Sequence, residues 1–189
     1  GASGDSNAIL RKLVDVGYRG RTLLPIVDAA AVKVAFAAGV GGRIETTLGG
    51  TRDPERFLPL GVTATVRLLS DGRFRSESFG EEWLAGPAAV LEAENFTIVV
   101  ASNPVNLYDR SFYFAHGRNP QNFDAVVVKS PHCQHHMYAD WCAVMINVDA
   151  PGSSSANLPS LGHTRCPRPI FPLDNIQGFV PEATIFRRS

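Results

Sequence analysis

The 189-residue sequence predicts an α/β fold: a mixed sheet flanked by helices, with an antiparallel β meander inserted into it. Predominantly apolar runs at 125–129 and 143–148 are typical of strands covered on both faces. Apolar residues at helical spacing near the start of the chain, and an Ala-rich stretch at 29–38, predict helices that alternate with such strands. The length fits a single domain over residues 1–189.

The first element is a predicted helix over about residues 5–16. Apolar side chains recur there at positions that share one helix face. Asp5 and Ser6 are both residue types that cap helix N-termini, and Gly17 is suited to ending the helix. The residues before it, 1–6, are small and predict a turn.

A buried strand is predicted at residues 21–28, followed by the Ala-rich helix at 29–38, which ends at Gly39. Pro25 lies in the middle of this strand. Because proline has no N–H to donate to a neighbouring strand, its presence places the strand at a sheet edge or at a bulge.

Residues 43–100 predict the β-rich insertion. Polar and apolar residues alternate at 43–48 and 62–69, and the Ser-Asp-Gly sequence at 70–72 is a strong hairpin signal. Two further strands are predicted within 88–101. This pattern indicates an antiparallel meander placed between α/β units.

The last third returns to α/β order. A short helix is predicted at 109–115, a strand at 125–129, a helix from residue 130 to about residue 142, and a buried strand at 143–148. From 151 to 189 Pro, Gly and Ser are frequent and periodicity is lost, which predicts an irregular Pro-rich tail over the surface.

Charge and cysteine usage exclude several classes of protein. The formal net charge is zero, so no basic surface is expected for nucleic acid or an anionic membrane. No apolar run is long enough to span a bilayer, and the first residues do not have the pattern of a signal peptide. Three cysteines do not suggest a disulfide framework, so a reducing cytoplasm is expected.

The junction after the strand at 125–129 is the first candidate for binding chemistry. Ser130 is placed to cap the following helix, and Lys129 precedes it at the carboxyl end of the strand, where ligands of open α/β sheets bind. Together they could hold a carboxylate or a phosphate. Asp149, at the end of the next predicted strand, could face the same cleft. The alternative is that Ser130 only caps the helix and Lys129 only extends to solvent.

The second candidate is a cluster of His132, Cys133, His135, His136 and Cys142. His132 and His136 are four residues apart and share a helix face, a spacing that can ligate zinc. A zinc site needs three or four converging ligands, however, and no HExxH or CxxC pattern is present. The alternative is a polar helix face that lines a cleft.

Taken in order, several segments resemble the C-terminal domain of the MlrC (microcystinase C) metallopeptidase family. The family begins this domain with a glycine-rich turn ending in Gly-Asp, which Gly4-Asp5 resembles. None of the motifs is specific alone, but their order over nearly the whole chain is. The segments that carry the resemblance are 1–5, 8–11, 35–41, 48–51, 69–74, 86–87, 128–130, 148–152 and 168–174.

This resemblance implies a two-domain enzyme whose N-terminal domain, absent from this sequence, holds zinc through His and Asp side chains. It therefore assigns no catalytic residue, metal ligand or cofactor to this chain. It places Asp5, Lys129 and Ser130 at the substrate cleft. Many members have a histidine three residues after the serine; here Cys133 occupies that position and His132 precedes it. His132 is therefore the fourth candidate for substrate binding.

We expect the chain to be the C-terminal domain of a zinc-dependent peptidase or amidohydrolase, to contribute to an interdomain cleft and to be inactive alone. Its partners would be a peptide or amide substrate and its own N-terminal domain. The alternative is a non-catalytic binding or assembly module, in which residues 43–100 form a homodimer surface or an interdomain surface. A third hypothesis is an independent enzyme with a metal at His132, His135 and His136.

Overall fold

The structure is a computed structural model that describes residues 4–52, 54, 58–129, 135–151, 157–178, 180, 182, 184 and 186. Its helices are α1 (Ala8–Asp15), α2 (Ala29–Ala38), α3 (Arg110–Ala115) and α4 (His135–Tyr138). Its strands are β1 (Thr22–Val27), β2 (Arg43–Leu48), β3 (Leu60–Ser70), β4 (Arg73–Arg75), β5 (Glu82–Leu84), β6 (Ala88–Ala93), β7 (Phe96–Ala101) and β8 (Ala125–Val126). Short 3₁₀ turns lie at Pro120–Asn122 and Leu158–Leu161.

Six strands form one mixed sheet in the order β2-β3-β6-β7-β1-β8. The pairs β2-β3, β3-β6 and β6-β7 are antiparallel, whereas β1 is parallel to both β7 and β8. The predicted α/β class and the antiparallel meander are thus confirmed. The meander strands belong to the main sheet itself, and only β4 and β5 pair separately as a small hairpin.

β1 lies between β7 and the edge strand β8, and all six of its residues are buried. Because side chains alternate across a strand, Leu24 and Ile26 pack on one face of the sheet and Leu23 and Val27 on the other. The first face is covered by α1 and α2, and the second by α3 and the β4-β5 hairpin. This double coverage explains the continuous apolar sequence of the strand.

The first helix begins later than predicted. It starts at Ala8 with Asn7 at the N-cap position, and neither Asp5 nor Ser6 occupies that position. The Asn7 side chain makes no cap hydrogen bond. Its amide nitrogen Nδ2 instead donates to the carbonyl of Leu48 at 2.7 Å and to that of Leu58 at 2.9 Å. The Ser6 hydroxyl accepts from the N–H of Ala8 at 3.4 Å, whereas the Asn7 side chain makes tertiary contacts in place of a cap.

Pro25 has a local effect on the sheet. β1 pairs with β7 along its full length, but its pairing with β8 covers only Thr22 and Leu23. The Val127 N–H donates to the Leu23 carbonyl, so a continued parallel ladder would bring the N–H of residue 25 to the Val127 carbonyl. Proline has no N–H, and the Tyr113 hydroxyl donates to this carbonyl at 2.7 Å instead. The strand is an interior strand that becomes an edge at Pro25.

The predicted buried strand at 143–148 is wrong. The structure has no strand there, and Val144, Ile146 and Val148 are 70%, 75% and 59% exposed. None of the backbone groups of 143–148 is hydrogen-bonded to another described residue. Continuous apolar sequence shows that a segment needs burial, but the neighbouring backbone that would complete a strand is missing from the described part of this chain.

Other elements of the last third are shorter than predicted. α4 covers four residues, whereas the sequence predicted a helix from residue 130 to about 142; residues 130–134 lie outside the described residues. In the described part of the 151–189 tail, the structure has one 3₁₀ turn and no strand, in agreement with the predicted irregular tail. No helix among the described residues combines the length and apolar character that crossing a membrane requires.

The variant Tyr113→Phe tests whether the Tyr113 hydroxyl supplies the hydrogen bond that Pro25 cannot donate to the Val127 carbonyl. Tyr113→Phe leaves the buried Val127 carbonyl without its donor, so we expect a loss of about 1–3 kcal/mol in the free energy of unfolding. Tyr18→Phe is the matched control, because the structure shows no hydrogen bond from the Tyr18 hydroxyl to another described residue. Urea unfolding of both variants measures the difference, and equal stabilities would contradict this account.

Candidate functional site

The site lies at the edge of the sheet where the parallel strands β1, β7 and β8 end. In open α/β sheets this carboxyl edge is where ligands bind. Asp28 follows β1, and Lys129 lies three residues after β8. The segment 4–7 crosses the same edge, since the Gly4 carbonyl accepts a hydrogen bond from the N–H of Val27. We call Asp5, Asn7, Asp28, Gly49 and Lys129 the strand-end cluster.

Asp28 joins two elements through its carboxylate. One oxygen, Oδ1, accepts from the N–H groups of Ala30 and Ala31, both at 3.0 Å, which caps α2. The other, Oδ2, accepts from the Gly49 N–H at 3.0 Å. Asp28 is 1% exposed, so these three donors take the place of water around a buried carboxylate.

The contact between Asp28 and Gly49 shows that the sheet is strongly curled. Gly49 follows β2, and three strands separate β2 from β1 in the sheet. A flat sheet would hold these strands far apart, so twist and the bulge between Val66 and Leu68 in β3 bring the end of β2 back toward β1. The cluster therefore depends on the curvature of the whole sheet.

Asp5 is completely buried and connects the start of the chain to the loop after β2. Its carboxylate accepts from the Arg52 N–H at 2.9 Å, and its backbone carbonyl accepts from the Gly50 N–H at 3.1 Å. The fit is close, because a Cβ added to Gly49 would lie 2.4 Å from the Asp5 carbonyl oxygen. Only glycine fits at position 49, which also has a positive φ of 71°.

Lys129 holds the same segment from the other side. Its ammonium nitrogen Nζ donates to the carbonyl of Gly4 at 2.9 Å and to that of Ser6 at 2.7 Å. These carbonyls flank Asp5, whose charge also acts on Lys129. The lysine therefore fixes the turn at residues 4–6 against the end of β8.

Burial lowers the pKa of Lys129 from 10.5 to about 7, and the negative charge of Asp5 offsets this effect only in part. Near neutral pH the lysine is thus divided between its charged and neutral forms. A lysine of this kind can exchange a proton with a ligand, whereas an ordinary surface lysine stays charged.

The structure describes only two of the four residues that were predicted to bind substrate. Asp5 and Lys129 are brought together, as the resemblance implied, but both also hold backbone in place. Ser130 and His132 lie outside the described residues. The structure thus supports a common location for Asp5 and Lys129, and their role in substrate binding stays a prediction.

The predicted histidine cluster is only partly described. His132 and Cys133 lie outside the described residues; His135 and His136 begin α4 and are exposed, and Cys142 is half-buried. Among the residues that the structure describes, no group of three or more His, Cys, Asp or Glu side chains could hold a metal ion. The described donors thus do not form the site that the third hypothesis requires.

Asp149 does not join the cluster through a described hydrogen bond. It is exposed and accepts from the Asn157 side chain at 3.0 Å. The chain nevertheless passes beside the cluster, since the Ser6 hydroxyl donates to the Pro151 carbonyl at 3.4 Å. The segment that follows 143–148 therefore approaches the turn at residues 4–6.

Sequence reasoning missed Asp28, Asn7 and Gly49. A signal for Asp28 was present, because an aspartate between a buried strand and an Ala-rich helix is a typical N-cap. Gly49 lies in the segment 48–51 that carries the resemblance, but nothing there predicts its hydrogen bond with Asp28, 21 residues away. No signal marks Asn7, whose partner Leu48 lies 41 residues away.

A second buried polar group was also missed, on the face covered by α3. Burial alone would raise the pKa of Asp109, but hydrogen bonds from the Ser111 and Ser76 side chains and from backbone N–H groups hold it below its usual value. This carboxylate caps α3 and ties the loop after β4 to it. His116 is fully buried at the end of α3, and burial lowers its pKa.

Comparison with known proteins gives consistent matches. The family model described as "MlrC C-terminus" matches residues 1–165. Microcystinase C of Sphingomonas sp. is 26% identical over 177 residues, which are 93% of this chain and 34% of that protein. A crystal structure from Mesorhizobium sp. BNC1, provisionally assigned as a metallopeptidase, aligns with a TM-score of 0.77 and 31% identity over 93% of this chain and 35% of that one. The chain thus spans about a third of the length of these relatives.

Gly49→Ala tests the close approach between Gly49 and Asp5. The new Cβ would collide with the Asp5 carbonyl, so we expect a loss of stability larger than the cost of the positive φ alone, which is about 1–2 kcal/mol. Gly41→Ala is the matched control, because Gly41 also has a positive φ but nothing lies within 4 Å of its added Cβ. Equal losses in the free energy of unfolding for both variants, measured with urea, would show that the Asp5 carbonyl does not pack closely against Gly49.

The lowered pKa of Lys129 predicts how stability depends on pH. Between pH 7 and 10.5 the unfolded chain keeps a proton on this lysine that the folded chain has lost. The free energy of unfolding therefore rises with pH in this window, by at most about 1.4 kcal/mol per pH unit for one proton. Lys129→Met should lack this contribution, and Lys33→Met, at an exposed position on α2, should keep it. Urea unfolding from pH 6 to 9 measures the slopes; identical slopes in all three proteins would exclude the lowered pKa.

Proposed function

This chain belongs to the MlrC C-terminal family, and we propose that it is the C-terminal domain of a longer zinc-dependent peptidase or amidohydrolase of the cytoplasm. In this proposal the domain contributes one wall of a substrate cleft and is inactive alone. Two observations support it: the two relatives described above are a microcystinase and an assigned metallopeptidase, and both are about three times as long as this chain.

The position of the strand-end cluster carries the proposal. Lys129 and the Gly49–Gly50 backbone hold residues 4–6 across the carboxyl edge of the sheet. In a longer chain, the preceding domain would enter at this turn. The edge where α/β sheets bind ligands would then face that domain, and a cleft between the two would be lined by the turn.

Within this cleft, Lys129 is the candidate for binding a carboxylate of a peptide substrate. A lysine with a pKa near 7 gains a proton more readily when an anionic group approaches, so substrate binding would favour its charged form. Asp5 would position Lys129, because its charge favours the ammonium form and its backbone carbonyl fixes the turn. Ser130 and His132, which follow Lys129 in the sequence, are the further candidates for contacting substrate.

The zinc ion of this proposal belongs to the preceding part of the longer chain. The described residues offer no group of three donors for a metal, so no step of the reaction is assigned to a metal held here. This chain contributes positioning and binding, and the peptide or amide bond would be broken by groups outside it.

A binding or assembly module is the alternative, and the surface that would serve it is the hairpin region. Phe79 and Leu84 are 59% and 53% exposed, and the ring of Phe79 lies 5.6 Å from that of Trp83. This small aromatic patch within 43–100 could hold a second copy of the chain as a homodimer. This alternative implies no hydrolysis.

The test compares this chain with the longer natural protein. We expect the longer protein to contain stoichiometric zinc and to hydrolyse linear peptides, whereas the 189-residue chain does neither. In the longer protein, Lys129→Met should lower kcat/KM for an anionic peptide by about tenfold or more, which corresponds to about 1.4 kcal/mol of binding. Lys129→Arg should recover part of this loss, and Lys33→Met should cause none.

Metal content distinguishes the outcomes. Equal zinc in all variants shows that a loss of activity does not arise from loss of metal. If the longer protein neither binds metal nor hydrolyses peptides, the hydrolase proposal fails and the binding module replaces it. Stoichiometric metal in the 189-residue chain would instead support a site of its own at the histidines.

A further inference from the structure

We infer that residues 143–148, the apolar segment, are the surface on which the preceding part of the longer chain docks. The inference rests on one element of the proposed function, namely that this domain follows another in the same chain. The inference further specifies where the two domains touch and how: residues 143–148 pair as an additional strand with the preceding domain.

The exposure of the apolar segment is the first argument. Val144, Ile146 and Val148 are 59–75% exposed and occur at every second position. In an extended chain this spacing places the three side chains on one face, as in a strand that covers a hydrophobic surface. Burial of apolar side chains stabilises a protein, so leaving these three side chains largely in water is unfavourable.

The backbone of the apolar segment is the second argument. None of its N–H or carbonyl groups is hydrogen-bonded to another described residue. A segment with a strand-like sequence, an apolar face and no backbone hydrogen bond to another described residue can pair with a strand of another domain. It carries no charged residue that would oppose such pairing, unlike the edge strands that natural proteins protect from association.

The position of the segment identifies the occupant. The segment continues to Pro151, whose carbonyl accepts from the Ser6 hydroxyl, so it runs beside the first described residues. The matching family is described as a C-terminus, and about two thirds of the length of the relatives lies outside the match. The missing length therefore precedes residue 1 and would enter next to the apolar segment. A covalently attached domain at this point has a high effective concentration for docking.

Hydrogen–deuterium exchange on the longer natural protein and on the 189-residue chain tests this inference. We expect peptides covering 143–148 to exchange at least about tenfold more slowly in the longer protein. Peptides covering β7 should exchange equally slowly in both, which controls for the integrity of the sheet. Fast exchange of the apolar segment in both proteins would overturn the inference.

Slow exchange of residues 143–148 in the 189-residue chain would also overturn the inference. Two explanations are then distinguished by concentration. Protection that increases with protein concentration would assign the segment to a second copy of the chain. Protection at every concentration would assign it to the chain's own sheet. Both outcomes exclude the preceding domain as the required partner.

A matched pair of variants tests the side chains directly. Ile146→Lys places a charge in the proposed interface, whereas Val40→Lys places one at a similarly exposed apolar residue, 66% against 75%, in the loop before β2. In the longer protein, Ile146→Lys should abolish the protection of 143–148 and lower Tm, and Val40→Lys should do neither. Both variants should leave Tm of the 189-residue chain unchanged, which separates docking from folding.

Assays of metal content and hydrolysis on the same longer protein separate this inference from the proposed function. Protection of 143–148 without hydrolysis would retain the docking surface and refute the activity. Hydrolysis without protection would retain the activity and refute the docking surface.

Discussion

The carboxylate of Asp28 holds together the elements on which the strand-end cluster depends. It caps α2 through one oxygen and binds the Gly49 backbone through the other, so it fixes the end of β1, the start of α2 and the end of β2. The Gly50 N–H then binds the Asp5 carbonyl, and Asn7 binds the Leu48 carbonyl. Because all these groups are buried, each must find a partner within the protein, and the loss of one acceptor would leave several donors unpaired.

Much of the fold could be predicted because its strands and helices have clear local patterns. The Ala-rich helix at 29–38 and the alternation in β3 each specify structure over a few residues. The Ser-Asp-Gly sequence at 70–72 predicted a hairpin, but in the structure it joins β3 to β4, and these two strands do not pair with each other. The apolar segment 143–148 has an equally clear pattern and was still mispredicted. Its sequence specifies an extended, buried strand, but burial needs a partner, and the partner is not encoded in the same stretch of sequence.

The resemblance to one family assigned Asp5 and Lys129 to a substrate cleft, which stays a prediction, and it gave no information on the contacts that the two residues make. Asp5 and Lys129 were placed together because the segments around them resemble one family. Their contacts could not be deduced, because the Lys129 hydrogen bond to Gly4 joins residues 125 positions apart. Such a pairing depends on the curvature of the sheet, which is a property of all its strands together. Lys129, which donates to two backbone carbonyls, stabilises the turn at residues 4–6.

The long separation between β1 and its partners has a consequence during synthesis on the ribosome. Thr22 pairs with Phe96 in β7 and with Ala125 in β8, so β1 emerges long before either neighbour exists. A largely apolar strand exposed for that interval is prone to aggregate with other nascent chains. Pro25 interrupts its ability to pair on one edge, and a proline inside an aggregation-prone stretch acts as a safeguard against intermolecular β-pairing. The residue that shortens the ladder in the folded protein therefore also protects the unfinished chain.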